Sequence, residues 1–450
     1  MEKVKKYIGS FDYYKSLSLI AIPLMASELL SSAMNIVDTV MVSSIGMVTA
    51  VGNATNVMSL AYMVGWGILS GVAAFAAQFF GAKQDDNLSK TFGLSMLLSL
   101  FFAVLMVFIV YGFGESILLF YLNDPEIVTY SLTYLRIVVL SLIPLSFGWT
   151  ASIIYRSMGE TKLTFIVSTT AGLSNVVFNY IFIYMMKLGV AGAAYGTLLA
   201  EVTMCIFYLV VTIIKRPPFL KKPSIMFGID FSFLEAVMSK TWPILLNETL
   251  FGFGTTLLNK AFGMLGTQAM DAYYVALEVF NLFTFSIWGL GSAVSIVIGQ
   301  KLGEGNIEEA KRMGNYNLSF SLVLGLAQSV VVCLFAPLIL KAFNVTNPVT
   351  YLWAKQLLYV FAFKLFVRNL NYTMFSTMKA GGDALILNIY DSGIQYLVGV
   401  TLAFASVYLN LGNIVAVVLI EQLEQVVRFF IVIRRYNAGV WANDLTKLVI

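Results

Sequence analysis

Eight carboxylates stand inside long apolar runs: Glu28, Asp38, Glu201, Glu248, Glu278, Asp391, Glu421 and Glu424. Three bases, Lys364, Arg368 and Arg428, share that setting. A charge at membrane depth costs roughly 2.5–3.5 kcal/mol on insertion scales, so each needs a partner or a task. The chain contains no histidine. Histidine zinc sites, Ser-His-Asp triads and histidine relays are therefore excluded, and ion or proton chemistry falls to the carboxylates. Asp38, deep in the first run beside Asn35, reads either as a solvated residue at a helix end or as a cation or proton site. Asn175 and Asn179, four apart, share one helical face of the fifth run, and Thr197 lies on the sixth. Tyr274, Glu278 and Asn281 make one polar face on the eighth. An acid edged by an aromatic ring suits an organic cation; a structural hydrogen-bond cluster is the equal alternative. Lys364 and Arg368 place two positive charges on one face of the tenth run, which Asp391 or Glu278 could neutralise. Glu424 and Arg428 have the spacing of an intrahelical ion pair. Glu28 and Glu248 follow Pro23 and Pro243 by five residues, where a capping or interhelical hydrogen bond competes with a functional role.

The surrounding composition supplies the elements. Of 450 residues, 59% are hydrophobic and 12% charged, against about 25% charged in soluble domains, and the mean hydropathy is +0.83. A globular enzyme is excluded. Runs of about 20 apolar residues cross the hydrocarbon as helices. They fall at 18–41, 55–80, 92–113, 130–153, 163–185 and 190–213, then at 239–262, 272–299, 315–338, 352–375, 385–408 and 412–433. This predicts an all-α membrane protein of about twelve transmembrane helices. Loop charge sets its orientation. Twenty Lys and Arg residues, from Lys3, Lys5 and Lys6 to Lys447, lie on one side, against Lys187, Lys260 and Lys341 on the other. Both termini and the central loop are expected in the cytoplasm. The basic N-terminus lacks the apolar core and cleavage site of a signal peptide. Cys205 and Cys333 sit in apolar runs and imply neither a disulfide framework nor a metal site. The net charge of +4 is spread over loops, which is not a nucleic-acid footprint.

The halves repeat. At a shift of 220, Pro23 falls on Pro243, Glu28 on Glu248, Gly46 on Gly266 and Gly71 on Gly291. At 222, Gln78 falls on Gln300 and Gly81 on Gly303; at 223, Gly159 falls on Gly382 and Glu201 on Glu424. Two parallel six-helix lobes are expected, with binding near the midplane: an N-terminal lobe 1–214, an inter-lobe loop 215–238 in which Pro217 and Pro218 stop the sixth helix, and a C-terminal lobe with its tail, 239–450.

Several segments carry a resemblance to a known family. WGLGSAVSIVIGQKLGEGNIEEAKRMG (288–314) resembles the stretch after the eighth helix of multidrug and toxic compound extrusion (MATE) transporters, with GVAAFAAQFFGAKQ (71–84) as its first-half counterpart. LLSSAMNIVDTVMVSSIG (29–46), YRSMGETK (155–162), LSNVVFNYIFIY and GVAGAAYGTLLAE (173–201) are similar to other parts of that family. The likeness implies a V-shaped pair of six-helix lobes and cation-coupled antiport that expels amphipathic, often cationic, drugs and metabolites. It also implies a sodium-type site of an acid on helix 1, an Asn and an Asp four apart on helix 5 and a Thr on helix 6. Asp38, Asn175 and Thr197 match, and Asn179 departs by carrying an amide. On that basis Asp38, Asn175, Asn179 and Thr197 would hold a coupling Na+ or H+, with Asp38 as the sodium ligand. Glu248 matches a second-lobe cation residue of the NorM-like branch. The aspartate that the branch places on the tenth helix is missing here, where Asn369 and Asn371 flank the basic pair.

The expected function is therefore a Na+- or H+-coupled exporter working by alternating access, with Tyr274, Glu278, Asn281, Lys364 and Arg368 as substrate-binding candidates. The alternative is a lipid-linked precursor flippase of the same superfamily, which the basic pair on the tenth helix keeps open. No GxxxxGK[ST] loop and no catalytic constellation is present, against an ATP-driven motor or an enzyme. No cofactor is expected beyond the coupling ion, and the expected partners are a small-molecule substrate and the bilayer of the inner membrane, around a monomer.

Overall fold

Apolar runs bounded by glycine, proline and capping side chains become helices, because in hydrocarbon every backbone polar group must be satisfied within its own segment. The computed structural model describes residues 7–122, 124–343 and 345–449, and among these the regular structure is helical. The rods are α1 (Phe11–Ser43), α2 (Val48–Gly81), α3 (Asp85–Tyr121), α4 (Pro125–Ser157), α5 (Thr161–Met185) and α6 (Gly189–Lys215). The second series is α7 (Phe231–Gly263), α8 (Thr267–Gly303), α9 (Ile307–Ala342), α10 (Pro348–Ala380), α11 (Leu385–Tyr408) and α12 (414–438). Each expected span has its helix, extended by a turn or more where polar ends leave the apolar layer. Lys3, Lys5 and Lys6, counted above for orientation, lie outside the described residues.

Local chemistry sets the helix ends. Asp124 accepts the backbone N–H groups of Glu126 and Ile127 ahead of Pro125, and Asn347 does the same for Val349 and Thr350 ahead of Pro348. The repeated glycines mark turns that need left-handed backbone. Gly46 and Gly266 have φ of +72° and +95°, and Gly159 and Gly382 have +85° and +75°. α6 ends where Arg216 takes φ +45° before the two prolines. α5 and α11 each pass into π-helical turns, at Tyr180–Met185 in α5 and at Ile389–Gly393 and Gln395–Val400 in α11. Such widened turns cost backbone hydrogen-bond geometry and tend to occur at functional positions.

The chain divides into two compact units whose boundaries fall inside α1 and α7. One comprises Ala26–Leu245 with Thr446–Ile450, the other Met1–Met25 with Leu246–Leu445. Each unit therefore contains the first half of the other repeat's leading helix. In the carboxyl-side unit, Leu17, Ala21 and Leu24 join the core of Leu290, Ala293 and Val294, and Tyr13 Oη donates to Asn317 Oδ1 at 2.5 Å. In the amino-side unit, Phe233 stacks on Phe79 at 6.0 Å and Lys90 pairs with Asp230 at 3.2 Å. Missing side chains make both seats possible. A methyl on Gly289 would lie 2.6 Å from Met25 Cα, and one on Gly67 would lie 3.0 Å from Leu245 Cα. The segment 215–238 packs on the amino-side unit, where Phe219 is buried and stacks on Phe92 at 4.8 Å.

Candidate functional site

In the amino-side unit α1, α5 and α6 carry the four residues singled out on them, and α4 adds a fifth. Asn179 Nδ2 donates to Asp38 Oδ1 at 2.8 Å. The amide of Asn175 lies 2.6 and 3.1 Å from the two Asp38 oxygens, so its nitrogen faces the carboxylate. Both asparagines are buried and Asp38 is half-buried. Thr197, one residue past the Gly196 that meets Asn179, donates its Oγ1 hydroxyl to the Ala193 carbonyl at 3.2 Å, and the buried Tyr134 of α4 lies near both Thr197 and Asp38. Four features set this geometry. One-turn spacing aligns Asn175 with Asn179; the π turn begins directly after Asn179; Gly172 admits Met34 of α1; and Gly196 leaves room for the Asn179 side chain, whose Cγ would lie 2.9 Å from a methyl there. A carboxylate, two amides and two hydroxyls can hold a hard monovalent cation, once the amides turn their oxygens inward, or a proton on Asp38.

Tyr134 and Gly196 were not among the residues read from sequence. A tyrosine in an apolar run and a glycine among small residues carry no spacing signal; the packing of α4 reveals the first and the close approach of α6 to α5 the second. Glu201, one turn beyond Thr197, has a buried Oε2 without a hydrogen-bond partner among the described residues, and its charge acts on Tyr62.

The carboxyl-side unit has a different arrangement. Arg428 is buried between Asp391 (2.8 Å) and Glu424, and it also donates to the Asp391 backbone carbonyl at 3.0 Å. The expected intrahelical pair is thus one edge of a three-membered cluster reaching from α12 to α11. Asp391 Oδ2 accepts from Asn247 of α7 at 3.1 Å. Glu248 has Lys379 as its leading opposing charge, and Glu28 pairs with Arg156 at 3.8 Å. Arg156 and Lys379 are related by the repeat shift of 223, so both glutamates beside the helix-bending prolines face a base near the end of the fourth helix of their repeat.

Lys364 and Arg368 diverge. Lys364 Nζ lies over the rings of Phe280 and Phe361 at 5.2 and 5.4 Å and acts on the buried Glu421, whereas Arg368 lies over Phe251 at 5.1 Å. Of the two acids considered for neutralising the pair, Asp391 acts on Arg368. Glu278 forms no ion pair with either base among the described residues. Tyr274, Glu278 and Asn281 are exposed together on one face of α8.

Comparison with known proteins gives the family. Over 343 residues the chain is 25% identical to the multidrug resistance protein MdtK of Edwardsiella ictaluri, covering 73% of this chain and 72% of that protein. It is 23% identical over 382 residues to the probable multidrug resistance protein YoeA of Bacillus subtilis, covering 83% and 82%. The fold superposes with a TM-score of 0.86 on an outward-facing multidrug resistance MATE family transporter of the MOP superfamily, at 20% identity over 95% of this chain and 97% of that one. The relatives lend no support to the flippase alternative. The MatE family model matches residues 23–181 and 243–405, one stretch in each repeat. With twelve helical rods in two repeats among the described residues, nine of them long and apolar enough to cross a membrane, and that match across most of both repeats, the chain belongs to the MATE family of multi-pass membrane transporters.

Proposed function

We propose that the protein is an inner-membrane antiporter that exports amphipathic, cationic drugs or metabolites by alternating access, driven by an inward Na+ or H+ gradient. The observation that carries the coupling is the group around Asp38. It is a membrane-depth carboxylate without a basic partner among the described residues, held by two amide donors beside two hydroxyls. Such an acid is expensive unless a cation or proton occupies it during part of the cycle. Sodium is the favoured ion, because a desodiated site surrounded by neutral oxygen-bearing groups is more than a proton needs; a lone carboxylate would suffice for proton exchange. The relatives named for multidrug resistance support drug-like substrates. Loop charge supports cytoplasmic termini, and a monomer is the simplest assembly.

The test is substrate uptake into everted vesicles with either a sodium or a proton gradient imposed. Asp38→Asn removes the charge at nearly constant volume and is expected to abolish coupled transport while leaving folding intact. Asn175→Ala or Thr197→Ala should raise the sodium concentration for half-maximal transport. Normal transport by Asp38→Asn would refute the site; dependence on protons alone would refute only the ion.

A further inference from the structure

The segment after α6 is strapped across the end of the amino-side unit where α2 and α6 finish and α3 and α5 begin. Lys215 reaches Glu160 of the α4–α5 turn at 3.5 Å, and Lys221 reaches Asp85 and Asp86 at the start of α3 at 3.6 and 3.7 Å. Between these straps the buried Phe219 stacks on Phe92 and sits edge-on to Tyr155 at 5.4 Å. Each strap spends one base and leaves its chain neighbour, Arg216 or Lys222, exposed and without an ion pair among the described residues. A further exposed lysine with no ion pair among the described residues lies two residues from each strapped acid, Lys162 after Glu160 and Lys83 before Asp85. Glu160, Asp85 and Asp86 are thus spent on the straps, and Asp230, the only acid from 215 to 231, is spent on Lys90. Four bases are left over.

Exposed apolar side chains are interleaved with these bases. Ile213 and Ile214 close α6 in the open, and Leu220, Phe227 and Phe231 follow them, all exposed. A soluble anion would account for the charges and leave the apolar side chains in water. The boundary of a bilayer accounts for both, taking the apolar side chains at its acyl edge and the bases among its phosphates. Basic clusters placed directly after a membrane helix draw anionic headgroups in this way. We propose that the amino-side unit binds anionic phospholipid headgroups through Arg216, Lys222, Lys162 and Lys83, with Leu220 and Phe227 seated at the acyl boundary. The two straps and the buried Phe219 hold the segment in place beforehand, which lowers the ordering cost of binding. This site goes beyond the proposed export activity and is separate from the Asp38 group.

The experiment is native mass spectrometry of the purified full-length protein in detergent, titrated with dioleoylphosphatidylglycerol or dioleoylphosphatidylcholine, with inorganic phosphate as competitor at matched ionic strength. A base near an anionic surface is worth about fivefold in affinity. Phosphatidylglycerol should therefore bind at least about tenfold more tightly than phosphatidylcholine, and phosphate should not displace it. Arg216→Gln combined with Lys222→Gln leaves both straps in place and should weaken phosphatidylglycerol binding by at least about tenfold. Lys187→Gln, which removes a base at the opposite end of α5, should change nothing. Equal binding of the two lipids by the wild-type protein, or displacement by phosphate, overturns the proposal whether or not a variant folds. So does a double variant that binds like wild type, or a loss in Lys187→Gln as large as in the double variant. No gradient and no transported compound enters the measurement, so failure of the coupling reading at Asp38 leaves this result standing, and failure here leaves that reading untouched.

Discussion

Gly196→Ala is the most informative single change in the Asp38 group, because it adds one methyl to a residue that touches no ion. That methyl would collide with Asn179 Oδ1 and lie 2.9 Å from Asn179 Cγ and 3.1 Å from its backbone nitrogen. Carbon atoms prefer separations of about 3.5–4.0 Å, so α6 must retreat or the amide must swing away. If the amide swings, it leaves its place 2.8 Å from Asp38, and its oxygen can no longer turn inward to a cation there. A polar contact with a charge is worth about 1.5–3 kcal/mol, so the lost oxygen ligand lowers cation affinity by roughly ten- to hundredfold. Stability responds differently. Alanine is about 1 kcal/mol better than glycine inside a helix, while overpacking costs about 1–3 kcal/mol, so the net loss should lie between nothing and about 2 kcal/mol. Gly52→Ala is the control: its position on α2 has no atom within 4 Å of an added methyl, so only the helix gain applies. The assay is vesicle transport against cation concentration, paired with thermal melting in detergent. The expected outcome for Gly196→Ala is a half-maximal cation concentration raised by about tenfold or more with a melting shift of a few degrees. A cation dependence like that of wild type would refute the claim that α6 approach sets the Asn179 position.

Three further outcomes test other parts of the molecule. Arg428→Gln leaves Asp391 and Glu424 beside each other with their common cation removed, and should cost about 3–5 kcal/mol by denaturation; a change under about 1 kcal/mol would mean the cluster is not a structural clamp. Asp230 precedes α7 and accepts from the Phe233 N–H at 2.8 Å, then from the Ser232 hydroxyl and Lys90, which together hold it down at about 2. Its contribution is therefore complete above the ordinary carboxylate range near 3.9 and lost as pH falls towards 2, so amide exchange at Phe233 should quicken across that window in wild type and already be fast at neutral pH in Asp230→Ala, and exchange indifferent to both changes would remove the cap. Finally, in a Cys205→Ser, Cys333→Ser background, a cysteine at Glu126 should react with an impermeant thiol reagent from outside and one at Lys222 should not; the opposite labelling would reverse the orientation drawn from loop charge.

Much of the fold was legible because hydrocarbon enforces it. Runs such as 92–113 have no alternative to a helix, and Gly46, Gly159, Gly266 and Gly382 announce their turns through the repeat. What could not be read was tertiary. The exchange of the leading half-helices depends on Gly67 meeting Leu245 and Gly289 meeting Met25, contacts between residues far apart in the chain. The π turns of α5 and α11 leave no mark in hydropathy. At the candidate site, Asp38 and the Asn175–Asn179 pair had a readable spacing, whereas Tyr134 and Gly196 became visible only with α4 and α6 in place. Glu424 and Arg428 looked like a local pair because sequence spacing records neighbours on one helix and says nothing of Asp391 arriving from another.

The repeat keeps its frame and varies its chemistry, and the difference bears on how many coupling sites the protein has. The frame recurs pair by pair: Pro23 with Pro243, the Glu28–Arg156 contact with the Glu248–Lys379 interaction, and the Ser27–Ser168 hydrogen bond at 3.1 Å with the Asn247–Asp391 bond. Asp38 has no such counterpart. The shift of 220 carries it onto Leu258, a core residue of the carboxyl-side unit. In that unit four acids come with bases, Asp391 and Glu424 with Arg428, Glu248 with Lys379, and Glu421 within the influence of Lys364, while the exposed Glu278 does not. A carboxylate already matched by a fixed cation gains little from a mobile one, because the two compete for the same negative charge. The helix and turn plan of the two halves thus supports a symmetric transporter frame, while the distribution of unpaired acids supports the amino-side unit around Asp38 as the place of the proposed cation coupling.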